Sequence, residues 1–549
     1  MDAARAAAGW DWAAASLRAR RIGWRRWAPL VLCLALAALA GALAGPDAGW
    51  DLRNYHLYNG MALLRGRVGF DLAPAQLQSF YAPDLDLLYA LALRALNAHP
   101  AWLDAVLALP HGLAAFLAWQ VARRMLPADM PAAPGLAAVA AAIGVSGAGG
   151  LPTIASPMSE MLPASCVLGA LLLLARPEAW RTMLGAGVLA GIAVGLKLTA
   201  APYAVGLAIA AAVCAGRGRT WAALRGFLAG GLVGAGLAGG WWWLWLWMRT
   251  GDPVFPYFNQ LFHSSWAAAS ANTDTRFLPR NAVQALAYPL FWAFAPSRLV
   301  SELPVRDPRM LLGWLAVLTI GAQAGWRRRW PEPRLAAPIA LWVVGYALWE
   351  MQFSILRYLA TLELLSGPLL LAALAPRLAR VPAWRGVAAG AALTAALVVG
   401  TVYPDWGRAP AGGLAVAVRL PALAPGSLVL LLDPAPMAYV AAFAPRDVRF
   451  VGADNNLVRP GGGTALDRAV AAAIAAGRGP LWGMETDRRE ATATLRAYGL
   501  ARAPGCARVR SNLDADAILA CPLIRTRAPP GRRTGPSPPA PAHAVSGRR

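Results

Sequence analysis

Lysine is all but missing from this 549-residue chain: of its 51 basic residues one, Lys197, is a lysine and 50 are arginines. Charge as a whole is scarce. Asp, Glu, Lys and Arg supply 14% of the residues, where a soluble domain carries about 25%, while 58% are hydrophobic and the mean hydropathy is +0.45. This balance argues against a water-soluble enzyme. The five histidines, His56, His99, His111, His263 and His543, are scattered without the spacing of a structural zinc site. No glycine loop ends in a lysine, which argues against an ATP-driven transporter in this chain.

Acidic residues are also few, 28 against 51, and the formal charge is +23. Such a surplus fits either a nucleic-acid partner or the cytoplasmic loops of a polytopic membrane protein. Its distribution decides. Apolar stretches near 27–45, 103–121, 133–150, 161–175, 183–198, 201–215, 226–248, 308–325, 335–350, 359–376 and 386–403 approach the roughly 17–25 residues a bilayer span needs. Segments 84–97 and 282–297 are too short or too polar to assign, and read as interfacial helices or as a pair of short spans, so that about 11–13 spans are expected.

Arg18, Arg20, Arg21, Arg25 and Arg26 precede the first span, which keeps the N-terminus in the cytoplasm by the positive-inside rule. Every second loop is then basic, through Arg123 and Arg124; Arg176 and Arg181; Arg217, Arg219 and Arg225; Arg327, Arg328, Arg329 and Arg334; and Arg377, Arg380 and Arg385. The alternate loops lack that bias: 46–102 sets Arg53, Arg65, Arg67 and Arg94 against Asp47, Asp51, Asp71, Asp84 and Asp86. The charge is therefore topological, and no nucleic-acid partner is expected. The first apolar segment lacks a small-residue cleavage pattern and reads as an anchor.

Three outer regions, 46–102, 151–160 and 249–307, interrupt the expected membrane domain 27–403. Beyond it, 404–525 alternates short β-like runs, Leu428–Leu432, Val448–Val451 and Pro480–Met484, with helical stretches 464–477 and 488–498, the pattern of a small α/β domain on the periplasmic side. The segment 526–549, rich in Pro, Arg, Ser and Gly, is expected to be disordered, and 1–26 is a basic cytoplasmic N-terminus. Cys33, Cys166 and Cys214 fall in spans and act as small apolar residues. Cys506 and Cys521 fall in the outer domain, where a disulfide is expected over free thiols. Gly187, Gly191 and Gly195, and Gly226, Gly230 and Gly234, recur at a spacing that lets helices approach closely. Trp241, Trp242, Trp243, Trp245 and Trp247 fit an outer aromatic belt.

Polar residues stand out in such a chain. Trp50-Asp51-Leu52-Arg53-Asn54-Tyr55-His56-Leu57-Tyr58 follows the first span; as an α-helix it would put Asp51, Asn54, Tyr55 and Tyr58 on one face. Ser156-Pro157-Met158-Ser159-Glu160 precedes another span, with Glu160 either a substrate or metal ligand or a helix cap. Lys197, in Gly195-Leu196-Lys197-Leu198-Thr199, either snorkels to the headgroups or turns inward to an anion such as a lipid phosphate. Arg357-Tyr358 stands at the outer end of a span, where Arg357 either grips a phosphate or pairs with Glu350 or Glu363. Thr250–Asn259 reads as a rigid surface element rich in turn formers.

This layout resembles the GT-C superfamily of integral-membrane glycosyltransferases, in particular its poorly characterised bacterial multi-pass members. The resemblance covers most of 20–403 and rests on the acid after the first span, the second acidic outer turn, the Gly-Leu-Lys element, the later Arg-Tyr pair and the C-terminal soluble portion. It implies a mainly α, GT-C-like helix bundle in a bacterial inner membrane. It also implies transfer of a sugar from a polyprenyl-phosphate donor to a glycan, lipid or protein acceptor on the periplasmic side. Asp51 matches the usual first-loop catalytic acid and Glu160 the second acidic position, where relatives commonly carry aspartate. Asn54, Tyr55, His56, Tyr58, Lys197, Arg357 and Tyr358 are the expected substrate contacts, and a divalent metal bridging Asp51 and Glu160 is an open possibility. Two other classes compete: a flippase or transporter of a lipid-linked glycan, and a non-catalytic envelope assembly protein.

Overall fold

A computed structural model of the chain describes residues 27–526 except 128, 131, 159, 176–179, 217, 410, 411 and 514–516. The basic segment 1–26, Arg176, Arg217 and the tail from 527 onward lie outside the described residues. What is described is mainly helical, with a small sheet near the C-terminus.

Each of the eleven expected apolar stretches contains a helix: α1 (Ala28–Ala44), α2 (Pro100–Met125), α3 (Ala133–Val145), α4 (Met161–Leu174), α5 (Trp180–Leu196), α6 (Ala201–Ala215), α7 (Thr220–Thr250), α8 (Arg309–Trp326), α9 (Pro333–Gln352), α10 (Ala360–Leu378) and α11 (Ala383–Gly400). Among the described residues, five helical segments are long and apolar enough to cross a membrane, those containing α2, α6, α7, α10 and α11. Others are shorter than their apolar runs. Expected over 133–150, α3 stops at Val145 and spans about 20 Å at 1.5 Å per residue. The cause is local: the N–H groups of Ala148, Gly149 and Gly150 turn to the Asp307 and Glu363 carboxylates at 2.8, 2.8 and 2.9 Å instead of extending the helix. Of the two unassigned segments, 84–97 holds one 13-residue helix, Asp84–Leu96, and 282–297 holds two short turns, Ala282–Leu286 and Leu290–Ala293.

The glycine stripes do the packing expected of them. α5 lies against α7 so closely that a Cβ on Gly187 would sit 2.0 Å from the Phe227 carbonyl oxygen and one on Gly234 2.1 Å from that of Val188. Only small residues permit that approach.

The C-terminal sheet runs β3 (Arg449–Gly452), β2 (Leu428–Leu431), β4 (Leu481–Glu485), β8 (Leu519–Arg525), β5 (Leu500–Arg502), with β6 (Ala507–Arg508) also on β8; β1 (Val418–Arg419) pairs with β7 (Arg510–Ser511). β2 is parallel to β3 and β4, in register Val429 with Phe450 and with Trp482, while β8 is antiparallel to β4. Helix α12 (Ala465–Ala476) starts on a capping box of Thr464 and Asp467, and α13 (Arg488–Ala497) on Asp487. Cys506 and Cys521 form a disulfide, tying β8 to the turn before β6.

This domain is built into the region 46–102. Leu72 pairs with Val451 as a parallel bridge beside β3. Arg67 donates to Asp71 at 2.7 and 2.9 Å and to the carbonyl of Val448 at 2.7 Å, and Asp71 accepts from the Phe450 N–H at 2.8 Å. Leu52, Leu57 and Tyr58 share one apolar core with Tyr439 and Phe450.

Candidate functional site at the helix breaks

Four charged residues meet at one end of the bundle because four interruptions of the apolar helices end there. After α1 the chain turns at Gly45 and begins a helix whose residues Leu52–His56 form a π-turn, the Leu57 N–H reaching back to the Leu52 carbonyl. Asp51 immediately precedes that turn. Glu160 immediately precedes α4. Lys197, in extended backbone, separates α5 from α6. Arg357 lies in the 3-10 turn Leu356–Leu359 between α9 and α10. Arg408 clamps two of these breaks together by donating to the carbonyls of Gly45, Pro152 and Ile154 at 3.0, 2.8 and 2.5 Å, and Ser156 donates to Asp47 at 2.6 Å.

Two ion pairs result. Arg357 Nη1 lies 2.6 Å from Asp51 Oδ2, and Lys197 Nζ 2.5 Å from Glu160 Oε1. The Tyr358 ring joins them, its centre 5.5 Å from the Arg357 guanidinium carbon and 5.9 Å from Lys197 Nζ. Glu160 also lies within electrostatic reach of Arg357. Asp51 and Glu160 are nearly buried, whereas the side chains of Arg357 and Lys197 keep 18% and 21% of their exposure, so the cations are the accessible members. Glu160 Oε2 is buried without a hydrogen-bond partner. An acceptor left in that state costs about 1–3 kcal/mol.

The chain matches no family model, no curated protein and no solved structure.

Of the expected site residues, Asp51, Glu160, Lys197, Arg357 and Tyr358 converge, and Tyr55 stands beside them. The single face expected for Asp51, Asn54, Tyr55 and Tyr58 does not form. An i→i+5 turn advances the helix face differently from an α-helix, and the side chains diverge. Asn54 donates to Gln78 at 3.2 Å and accepts from Gln76 at 3.3 Å. His56 Nδ1 meets Asp86 at 2.5 Å, and Tyr58 donates to Asp71 at 3.0 Å. These three tie the helix to the segment 71–86. At the other positions Glu160 makes no capping hydrogen bond, and Arg357 pairs with Asp51 and with neither Glu350 nor Glu363. Among the described residues no three His, Cys, Asp or Glu side chains converge. A metal between Asp51 and Glu160 would thus lack a third ligand of that kind, and each carboxylate faces a cation instead.

Aromatic rings that the sequence did not single out as site residues wall this cluster. Tyr81 lies edge-on to Tyr55, with centres 5.3 Å apart, and its hydroxyl is 2.5 Å from that of Tyr257. Burial, reinforced by the Asp51 charge, pushes the Tyr55 phenol well above its ordinary pKa; Tyr81 is raised likewise, by burial and then by Tyr257. Both are neutral hydroxyls at physiological pH. Asp274 lies within reach of Arg357; burial raises its pKa, but the hydrogen bonds and charge of Arg276 outweigh that and hold it below the ordinary carboxylate value. Tyr257 lies within the turn-rich element Thr250–Asn259, which is a usable signal; Tyr81 carries none.

Proposed function

We propose that the chain is a polytopic membrane glycosyltransferase of GT-C type, with about eleven helices crossing a bacterial inner membrane and the break cluster facing the periplasm. It moves a sugar from a polyprenyl-phosphate donor to an acceptor hydroxyl. The observation that carries the reading is the convergence of Asp51–Arg357 and Glu160–Lys197 around Tyr358 from four separate breaks. Two cations with residual exposure, beside two nearly buried carboxylates, suit a phosphate that must be gripped while a hydroxyl nearby loses its proton.

In this reading the donor phosphate takes over Arg357 and Lys197, since a guanidinium binds phosphate in a bidentate, charge-assisted manner. Asp51 is thereby released. The acceptor oxygen attacks the anomeric carbon as its proton passes to the Asp51 carboxylate; the carbon–oxygen bond to phosphate breaks, and the polyprenyl phosphate leaves with that electron pair, stabilised by Lys197 and Arg357. The sugar inverts its anomeric configuration. Glu160 orients Lys197 and, through its free oxygen, accepts a hydrogen bond from a sugar hydroxyl. The tyrosine rings of Tyr55, Tyr81 and Tyr358 give the sugar apolar faces to lie against.

The test is transfer in proteoliposomes containing the full chain and a radiolabelled polyprenyl-phosphate sugar, with an envelope glycan extract as acceptor. Asp51→Asn is expected to reduce transfer by about 10²–10⁴-fold while the protein still folds, with only a modest fall in its unfolding temperature. A folded Asp51→Asn protein with full turnover refutes the base assignment. Label that changes leaflet without ever leaving the lipid refutes the transferase and indicates a flippase.

A further inference from the structure

A second cationic locus lies at the end of α7, separate from the four residues above. Arg249, in the last turn of α7, sits between two indoles, its guanidinium carbon 5.5 Å from the Trp245 ring centre and 5.6 Å from that of Trp266. Its hydrogen bond is a long one, 3.5 Å from Nη2 to the carbonyl of Gly69. The next carbonyl, that of Phe70, accepts at 2.6 Å from Nε of Arg449, which comes from β3 of the C-terminal domain. Two guanidiniums from distant parts of the chain thus hang on consecutive neutral carbonyls. Gly69, at φ +79°, makes the turn that presents them, and a Cβ there would come within 3.2 Å of Arg249 Nη1.

Neither arginine has an ion pair among the described residues. Arg449 lies within electrostatic reach of Arg249 and repels it. Asp71 is on the adjacent wall but offers nothing: one oxygen accepts from Tyr58 and Arg67, the other from Arg67 and the Phe450 N–H. Beside Arg249 is a cavity of about 40 Å³, walled by Phe80, Tyr81, Trp242, Trp245 and Trp266, with room for about three water-sized groups. Arg449 approaches from beyond its lining, and Asp51, Glu160, Lys197 and Arg357 do not line it.

We infer that Arg249 and Arg449 form a binding site for a phosphate-bearing anion at the membrane interface. Each guanidinium spends one donor on a carbonyl and has others to give, and phosphate is the anion whose oxygens match that fork. The surroundings favour a lipid headgroup as the source. On the same end of α7, Trp241, Leu244, Trp247 and Met248 are exposed, the composition of a helix end at headgroup level. A lipid phosphate held there would tie α7 to the C-terminal domain through a ligand. The inference is independent of the transferase reading.

The full chain, purified in a neutral detergent, is titrated at constant ionic strength with short-chain phosphatidylglycerol in one arm and inorganic phosphate in the other. Binding is read by native mass spectrometry and by the shift in thermal unfolding. Phosphatidylglycerol is expected to bind and stabilise, and R249Q/R449Q to weaken it roughly ten-fold or more, while R276Q, at an exposed arginine elsewhere, leaves it unchanged. Inorganic phosphate binding that is lost in the same variant supports the site with a free phosphate as its source. Binding unaffected by R249Q/R449Q, or weakened equally by R276Q, overturns it. If the double variant fails to fold, R449Q alone, at a half-buried position, takes its place: a several-fold loss of binding supports the site, and undiminished binding overturns it.

Discussion

Two ionic networks occupy the same end of the helix bundle, and they are built differently. In one, Arg309 is fully buried and every side-chain nitrogen is used: Nε to the carbonyl of Ile143 at 2.8 Å, Nη1 to Asp307 at 2.9 Å and Thr401 at 2.8 Å, Nη2 to Ser146 at 2.9 Å. Glu363, equally buried, closes the network on the N–H groups of Gly149 and Gly150. In the other, Asp51–Arg357 and Glu160–Lys197 keep partly exposed cations and a buried, unpartnered carboxylate oxygen. A buried charge network that is saturated can only hold elements together, because nothing further can bind to it. One that is unsaturated and reachable has capacity for a ligand. The saturated network binds α3, α8, α10 and the end of α11; the unsaturated one joins the turn after α1 to the start of α4 and to the breaks between α5 and α6 and between α9 and α10.

The sharpest way to break this contrast is to remove Arg309. Arg309→Gln leaves Asp307 buried without its cation, and the expected cost is roughly 3–5 kcal/mol of stability. Thermal unfolding in detergent should show a large fall, or no folded protein at all. A variant with unchanged unfolding would mean that the network is not structural. The counterpart, Asp51→Asn, is expected to cost only about 1–2 kcal/mol, since Arg357 retains solvent, while removing most of the transfer activity. If the two variants lose stability equally, the distinction between a saturated and an open network fails.

Lys197 sharpens the comparison at smaller scale. Lys197→Gln removes the charge and is expected to cost roughly 10²-fold in kcat/KM. Lys197→Arg keeps the charge but changes its shape, replacing a compact ammonium with a planar fork, and an approximately ten-fold loss is expected. Because arginine serves at 50 of 51 basic positions, full activity of Lys197→Arg would show that the residue contributes charge alone.

Much of this arrangement is legible in the sequence. Each expected apolar run contains a helix because runs of that length in a charge-poor chain have few alternatives, and the three parallel strands match their β-like runs. Asp51, Glu160, Lys197 and Arg357 stand out because an ionisable residue is costly next to membrane and therefore rare there. Their partners do not. Asp51 and Arg357 are 306 residues apart, and pairing across that distance is set by how helices pack, which hydropathy does not encode. The π-turn at Leu52–His56 is equally invisible, and it is what sends Asn54, His56 and Tyr58 to partners in 71–86. The Asp307–Arg309–Glu363 network gives no signal either, since its members look like ordinary residues at helix starts.

The smallest effect concerns Tyr358, which separates two uses of an aromatic side chain in the open network. Its ring faces both cations, its edge contact with Phe353 has centres 5.5 Å apart, and its backbone carbonyl accepts from the Tyr203 hydroxyl. Those contacts need the ring and the backbone and leave the phenol out. Tyr358→Phe should then retain transfer within about three-fold, whereas Tyr358→Leu loses the cation–π attraction, about 1 kcal/mol per cation at a partly exposed site, and should fall roughly ten-fold. The measurement is kcat and KM for the donor. A large kcat loss in Tyr358→Phe with KM unchanged would place the hydroxyl in the reaction itself, and Tyr358 would move from holding the two cations and flanking the sugar to taking part in the transfer.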